Sequence, residues 1–174
     1  MEKTFDGING LTVGQQASLR RSAGKLLKEV NAAALQAFFV AIPPQKQWDQ
    51  EKAFTTACII CLWKQEERVS AEPFEKCMGR LRISKGKDGI EGLDSRFCNI
   101  IDTHWNDEDG YLAVKLVRLA KILKNSGCGY PDPEMLYSDF KNWNHPDRFV
   151  QRRWMEQYLL SEKNDNNEND QEEK

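Results

Sequence analysis

The segment LAVKLVRLAKILKNSG, residues 112–127, contains the clearest helical pattern in the chain. Its leucines recur at intervals of three and four residues, along one face of a helix: Leu112, Leu116, Leu119 and Leu123. Gly127 follows them, in the position where a helix commonly ends. The pattern predicts an amphipathic helix over about residues 109–126 that packs through its leucine face.

Helical periodicity also dominates the rest of the chain, and no long alternating run of β-branched residues indicates a strand. A first helical region is predicted over about 14–41, with Gly24 as a break, and a second over about 48–64. Ser70 is predicted as the N-cap of a third helix, and Asp94 or Ser95 as the N-cap of a fourth. The last two predicted helices start at Asp132-Pro133 and at His145-Pro146.

The glycine-rich segment SKGKDGIEG, residues 84–92, indicates a boundary between two helical halves. We therefore predict an all-α fold of two small packed helical bundles, with about seven to nine helices and no sheet. The N-terminal bundle covers residues 1–90 and the C-terminal bundle covers residues 91–161. Residues 162–174 are predicted to be a disordered acidic tail, because this segment has no apolar side chain to bury.

Charge is distributed unevenly along the chain. The last 13 residues hold six acidic and two basic side chains, so residues 1–161 carry a net charge of +2 although the whole chain is at −2. Five basic and no acidic residues fall between Lys76 and Lys87, and the segment SLRRSAGKLLKE, residues 18–29, contains four more basic residues. Segregated charge of this kind indicates partners of opposite charge.

The residue types that most often carry chemistry form no recognisable catalytic or metal-binding motif. Cys58 and Cys61 form a CxxC pair inside an apolar segment, without a second ligand pair at matching spacing, which favours core packing over a metal or redox site. His104 and His145 lie near predicted helix ends, where a capping or surface role is expected. We therefore predict a protein that is not an enzyme and that holds no metal or cofactor.

No membrane or targeting segment is evident. The N-terminus lacks a basic region followed by an apolar stretch. The longest apolar stretches span 11 residues, whereas a membrane helix needs about 20. The five cysteines are irregularly spaced and do not indicate a disulfide framework. These features predict a soluble, reduced, cytoplasmic protein.

Basic residues recur along several predicted helices, beside their apolar faces. Lys115, Arg118 and Lys121 are spaced by three residues and fall on one side of a helix. Arginines on several helices of one bundle can line a path for phosphates, because guanidinium binds phosphate through two parallel hydrogen bonds. The same residues can instead form a solvated face with local ion pairs, so the pattern alone leaves both interpretations open.

Short motifs follow one another in a characteristic order. They are LRR at 19–21, GRL at 79–81, SRF at 95–97, LVRLAKIL at 116–123, DF with W at 139–143, and W with Y at 154 and 158. In this order, over about residues 15–160, the chain resembles the CasB family, the small subunit of the type I-E CRISPR surveillance complex called Cascade.

The resemblance implies an all-helical, non-catalytic protein with several partners. These partners are the RNA-bearing backbone subunits and the large subunit of Cascade, a second copy of the chain placed head to tail, and the target or non-target DNA strand. The implied function is stabilisation of the R-loop in antiviral defence, by sequence-independent contacts of basic residues with the DNA backbone. The alternative is a helical adaptor whose arginines pair with a partner protein.

The basic residues predicted to contact nucleic acid come from several parts of the chain. Arg21, Arg96 and Arg118 belong to the motifs that carry the resemblance. The full predicted set is Arg20, Arg21, Arg80, Lys85, Lys87, Arg96, Arg118, Lys121, Arg148, Arg152 and Arg153. Contacts of this kind hold a strand without reading its sequence.

Overall fold

The structure, a computed structural model, describes residues 3–169, and it describes side chains for residues 3–160. Eight α-helices form within the described residues, which contain no β-strand and one isolated bridge between Glu72 and Pro131. The helices are α1 Val13–Arg21, α2 Ala32–Ala41, α3 Gln50–Ile60, α4 Phe74–Ser84, α5 Lys87–Ile101, α6 Tyr111–Ser126, α7 Pro133–Lys141 and α8 Phe149–Asn169. The predicted all-α fold class is confirmed.

Helix α6 forms as its leucine pattern predicts. The four leucines of its stripe are all buried. Gly110 precedes the helix and Gly127 follows it, and both have left-handed backbone angles, with φ of 64° and 70°. Only glycine adopts this conformation without steric cost, so these two residues define the ends of α6.

The first predicted helical region is divided into two helices. Thr12 caps α1 by accepting a hydrogen bond from the Gln15 backbone N–H. The chain turns at Gly24, where φ is 90°, and Asn31 then caps α2 by accepting from the Ala34 N–H. The predicted break at Gly24 is confirmed.

Two predicted helix starts are wrong. Helix α4 begins at Phe74, after Pro73, and Ser70 lies outside it with a φ of 51°. Helix α5 begins at Lys87, so the two residues predicted as its N-cap, Asp94 and Ser95, both lie inside the helix. The physical reason is tertiary: the Asp94 carboxylate accepts hydrogen bonds from side chains on α4 and α8, and it is therefore not available to cap a helix.

The C-terminal helix starts are closer to their predicted positions. Asp132 caps α7 and accepts hydrogen bonds from the backbone N–H groups of Glu134 and Met135. Helix α8 begins at Phe149, three residues after Pro146. It continues past residue 161 into the acidic segment, and residues 170–174 lie outside the described residues. The disordered tail at 162–174 stays a prediction.

One hydrophobic core extends through the described helices. Helices α4 and α8 form the most extensive helix pair. The Trp154 ring on α8 packs against Phe74 of α4 at 5.1 Å between centroids, and against Phe97 of α5 at 6.2 Å. The core therefore crosses the position near residue 90, and the division into two bundles stays a prediction. Among the described residues, no helix is long and apolar enough to span a membrane.

Candidate nucleic-acid interface

A groove of about 650 Å³ runs between α5 and α6. Three of the predicted basic residues line it: Arg96 from α5, and Arg118 and Lys121 from α6. Arg96 is at least 22 positions from Arg118 and Lys121 in the sequence. The packing of α5 against α6 brings the three side chains to the same groove. The groove is the place where the structure joins separate predicted residues into one site.

The three cations have no protein partner in the described part of the chain. No hydrogen bond or ion pair engages Arg96, Arg118 or Lys121 there, and all three side chains are exposed. Their positive charges are therefore available to an external anion. A phosphodiester fits this chemistry, because guanidinium and ammonium groups both bind phosphate oxygens.

The floor of the groove is apolar. It is formed by Ile100, Leu119 and Ile122, of which the first two are buried. No aromatic side chain lines the groove, so it offers no surface on which a base could stack. The arrangement can hold a phosphate backbone at its cationic rim, and it contains no group positioned to recognise a base.

The basic segment 20–28 lies beside the first half of α6. A Cβ built on Gly24 would be 3.9 Å from the Val114 Cα, and the Leu26 side chain packs over Gly110. Val114 and Arg118 are one helical turn apart and share a face. Within the segment, Lys28 donates from Nζ to the Glu108 carbonyl at 3.5 Å, just before α6, whereas Arg21 donates to Ser18 of its own helix at 3.4 Å. Arg20 and Arg21 are both exposed, and their role in binding stays a prediction.

Three other predicted arginines bind groups within the chain. Arg80 forms an ion pair with Glu72 and donates from Nε to the Cys128 carbonyl at 3.2 Å. Arg148 donates from Nη2 to the Ile101 carbonyl at 2.8 Å, at the C-terminal end of α5. Arg148 has a left-handed φ of 49° and also pairs with Asp102 at 3.3 Å. Their roles in nucleic-acid binding stay predictions, but a phosphate would compete with these internal partners.

Arg153 is the third of these arginines, and it forms ion pairs with two carboxylates of the described chain. It donates from Nε to Glu75 at 3.0 Å and from Nη2 to Asp139 at 2.5 Å. Asp139 also accepts from the Trp154 Nε1 at 2.8 Å. Burial raises the pKa of both Glu75 and Asp139, while Arg153 opposes this effect. Arg153 therefore joins α4, α7 and α8 through their buried carboxyl groups.

The remaining predicted cations are exposed outside the groove. Lys85 follows α4 and Lys87 is the first residue of α5, with Gly86 between them. Arg152 lies on α8 near Phe149 and Glu156, and its side chain has no partner among the described residues. The structure does not bring these three residues into the groove, so their role in binding stays a prediction.

The groove contains three polar residues outside the predicted site. Ser95 and Asn99 flank Arg96 on the same side of α5, at intervals of one and three residues. Lys115 lies one turn before Arg118, and its Nζ donates to the Thr103 Oγ1 at 3.0 Å. The spacing of three between Lys115, Arg118 and Lys121 was the available sequence signal for Lys115. Ser95 begins the SRF motif at 95–97, and no sequence signal indicated Asn99.

The CxxC pair lies in the hydrophobic core. Cys58 and Cys61 are both buried, on α3 and directly after it. Burial raises the pKa of Cys58 and raises the pKa of Cys61 to about 11, which disfavours the thiolate form needed for metal binding. Within the described residues there is no group of three or more His, Cys, Asp or Glu side chains that could hold a metal ion.

Solved structures share this fold. A chain of a CRISPR RNA-guided surveillance complex matches with a TM-score of 0.70 at 17% identity, covering 95% of this chain and 99% of that one. The crystal structure of M. ruber CasB matches with a TM-score of 0.68 at 14% identity, covering 90% of each chain. A Cse2-family protein from Thermus thermophilus matches with a TM-score of 0.67 at 20% identity, covering 89% of this chain and 94% of that one.

Sequence comparison identifies the family. No significant match is found among curated proteins. The family described as CRISPR-associated protein Cse2 matches residues 15–159, which is most of the chain. This span includes α5, α6 and the groove between them. The chain therefore belongs to the Cse2 family of CRISPR-associated proteins, as the resemblance to CasB predicted.

Proposed function

We propose that this protein is the non-catalytic small subunit of a type I-E CRISPR surveillance complex, Cascade, and that it stabilises the R-loop. Its basic residues contact the DNA backbone without sequence preference. The observation that carries this proposal is the groove between α5 and α6, where Arg96, Arg118 and Lys121 have no partner in the described part of the chain. Membership of the Cse2 family and the likeness to a chain of an RNA-guided surveillance complex support it.

The proposed binding mode uses the two surfaces of the groove, its cationic rim and its apolar floor. A strand would lie with its phosphates against the cationic rim and with its sugars near Ile122 and Leu119 on the apolar floor. Because no aromatic residue lines the groove, the bases would remain free to face away from the protein. Contacts to phosphate and sugar carry no sequence information, which suits a subunit that must accept any target.

The partners follow from this role. They are the backbone subunits that carry the guide RNA, the large subunit, a second copy of the chain, and the target or non-target DNA strand. Assembly of these components takes place in the cytoplasm. The alternative function, a helical adaptor, would use the same arginines to bind acidic side chains of a partner protein.

The test replaces Arg96, Arg118 and Lys121 together by Ala in the assembled complex. Each phosphate contact contributes about 0.7 to 0.9 to the slope of log affinity against log salt concentration, so the triple variant should reduce the slope by roughly 2 to 3. Affinity should fall about equally for all matched targets, while the subunits still assemble.

The matched control removes three positive charges elsewhere, by changing Lys3, Lys46 and Lys64 to Ala. These side chains are exposed and lie outside the groove. The control should retain most of the salt slope. If the groove variant keeps DNA affinity and loses assembly instead, the residues bind a protein partner and the adaptor function is correct.

A further inference from the structure

Lys115 differs from the other cations of the groove in how it is held. It lies on α6, one helical turn before Arg118, and it lines the same groove. Arg118 and Lys121 are exposed, whereas Lys115 is half-buried and its Nζ donates a hydrogen bond to the Thr103 Oγ1 at 3.0 Å. Within residues 3–160, Lys115 has no other hydrogen-bond partner and no ion pair. An ammonium group has three N–H donors, so two of them remain for a ligand in the groove.

The partner of Lys115 is neutral. A hydroxyl has one donor and two acceptor sites. Thr103 donates its hydrogen to the Asn99 carbonyl at 2.6 Å and accepts from Lys115, which has no acceptor of its own. The bond therefore holds the ammonium group without neutralising its charge. Arg80 and Arg153, by contrast, pair with carboxylates that compensate their charge.

The core of the protein holds Thr103 in place. The buried Trp143 donates from Nε1 to the Thr103 carbonyl at 2.8 Å. Gln151 of α8 in turn donates to the Trp143 carbonyl at 2.5 Å. The residues just after α5 are therefore attached to the segment after α7 and, through it, to α8. Tertiary packing thus determines the position of the hydroxyl that binds Lys115.

We propose that Lys115 is a fourth phosphate-binding residue of the groove and that Thr103 is its positioning residue. The inference rests on the proposed function of the groove and adds two residues to it. A lysine that is mobile before binding loses side-chain conformational freedom on contact with phosphate, which lowers affinity by roughly two- to tenfold. Lys115 has already lost this freedom through its bond to Thr103, so its phosphate contact avoids that penalty.

Lys115 also lengthens the row of cations along α6. Each helical residue adds about 1.5 Å along the axis, so Lys115 and Lys121 are about 9 Å apart in this direction. A DNA strand carries one charge per about 3.4 Å of duplex axis, so the row from Lys115 through Arg118 to Lys121 spans about two to three phosphates. Lys115 lies at the end of this row nearest the start of α6.

The first test removes the charge of Lys115. Lys115→Ala and Lys115→Gln are each placed in the assembled complex, and affinity for one matched duplex target is measured over a series of salt concentrations. Each variant should lower the slope of log affinity against log salt concentration by about 0.7 to 0.9, because one phosphate contact is lost. Gln retains a donor for the Thr103 hydroxyl, so this variant removes the charge and keeps a polar side chain.

Lys124→Ala is the matched control for the loss of one charge. Lys124 lies on the same helix, is partly buried like Lys115, and pairs with Glu67 at 3.4 Å outside the groove. This variant should keep the wild-type salt slope. Equal reductions of the slope in Lys115→Ala and Lys124→Ala would indicate a general effect of net charge and would overturn the specific contact.

The second test concerns the positioning role of Thr103. Thr103→Val keeps the branched shape and removes the hydroxyl, so it should weaken DNA binding by roughly two- to tenfold. The salt slope should stay at the wild-type value, because all four cations of the groove remain. Thr103→Ser retains the hydroxyl and should restore the wild-type affinity. Added to Lys115→Ala, Thr103→Val should cause no further loss, because Thr103 acts through Lys115.

The outcomes separate this inference from the proposed function. Additive losses in the double variant would overturn the positioning role, since Thr103 would then act independently of Lys115. An unchanged slope in both Lys115 variants, while the triple variant of Arg96, Arg118 and Lys121 lowers it, would overturn only the Lys115 contact. Unchanged slopes in all of these variants would overturn both. Melting temperatures near that of the wild type confirm that each variant is folded.

Discussion

Arg82 and Asp94 form a two-point ion pair that joins α4 to α5 across the glycine-rich segment. Arg82 Nε lies 2.8 Å from Asp94 Oδ1, and Arg82 Nη2 lies 3.0 Å from Asp94 Oδ2. The Tyr158 hydroxyl on α8 donates to the same Oδ1 at 2.6 Å. One carboxylate on α5 therefore binds side chains of both α4 and α8, two residues after the segment where the sequence indicated a boundary.

Replacing Asp94 by Asn should destabilise the protein by about 1–3 kcal/mol at pH 7, because the two-point ion pair between Arg82 and Asp94 would be lost. The hydrogen bond from Arg82 lowers the pKa of Asp94. A carboxylate with a depressed folded-state pKa contributes its full stability above about pH 4 and loses it as the pH falls through the depressed pKa. Urea melts should therefore show a difference between the two proteins that shrinks in acid. A constant difference from about pH 7 to about pH 2 would contradict this account.

Glu75 should show the opposite pH dependence. Burial raises its pKa, so the folded state favours the protonated form. The stability that protonated Glu75 contributes is complete below about pH 4.3 and is lost as the pH rises through the raised pKa. As the pH rises from about 4.5 to about 7, the Glu75→Gln variant should therefore lose less stability than the wild type. Melts followed by circular dichroism measure this difference. Glu156→Gln, at an exposed position on α8, is the control and should follow the wild-type curve.

Two adjacent arginines on α8 should differ sharply in their effect on stability. Arg153→Ala would leave Glu75 and Asp139 buried without a cation, at a cost of about 2–4 kcal/mol in the free energy of unfolding. Arg152→Ala should change this free energy by less than about 0.5 kcal/mol, since its exposed side chain has no partner among the described residues. Chemical denaturation at neutral pH measures both. Equal losses for the two variants would show that the contacts of Arg153 add no stability.

Two glycines of the 3-10 helix Asp6–Gly10 give a matched test of backbone packing. A Cβ on Gly7 would overlap the Ala41 carbonyl oxygen, at the C-terminal end of α2, whereas a Cβ on Gly10 would have no atom within 4 Å. Gly7→Ala should therefore destabilise the protein by about 1–3 kcal/mol through overpacking. Gly10→Ala should be nearly neutral, and thermal melts would separate them. Similar melting temperatures would mean that the Asp6–Gly10 helix can move away from α2 at little cost.

Local sequence signals were sufficient where the deciding contacts are local. The leucine stripe of α6, its flanking glycines, the turn at Gly24 and the Asp132 cap all depend on residues within a few positions of each other. The order of the short motifs was also sufficient to identify the family. These features are determined by side-chain periodicity and by backbone conformations that only certain residues adopt.

The tertiary structure alone decided which basic residues are available to a ligand. In the sequence, Arg118 and Arg153 are alike, since each is an arginine beside an apolar helix face. Packing places Arg118 at an open groove with Arg96, and places Arg153 against the carboxyl groups of Glu75 and Asp139. Ion pairs form between side chains that are distant in sequence and close in space, so no local pattern records them. The sequence by itself therefore determined the all-α class, the family and the set of cations, and the packing of the helices decided which of those cations lack an internal partner in the described part of the chain.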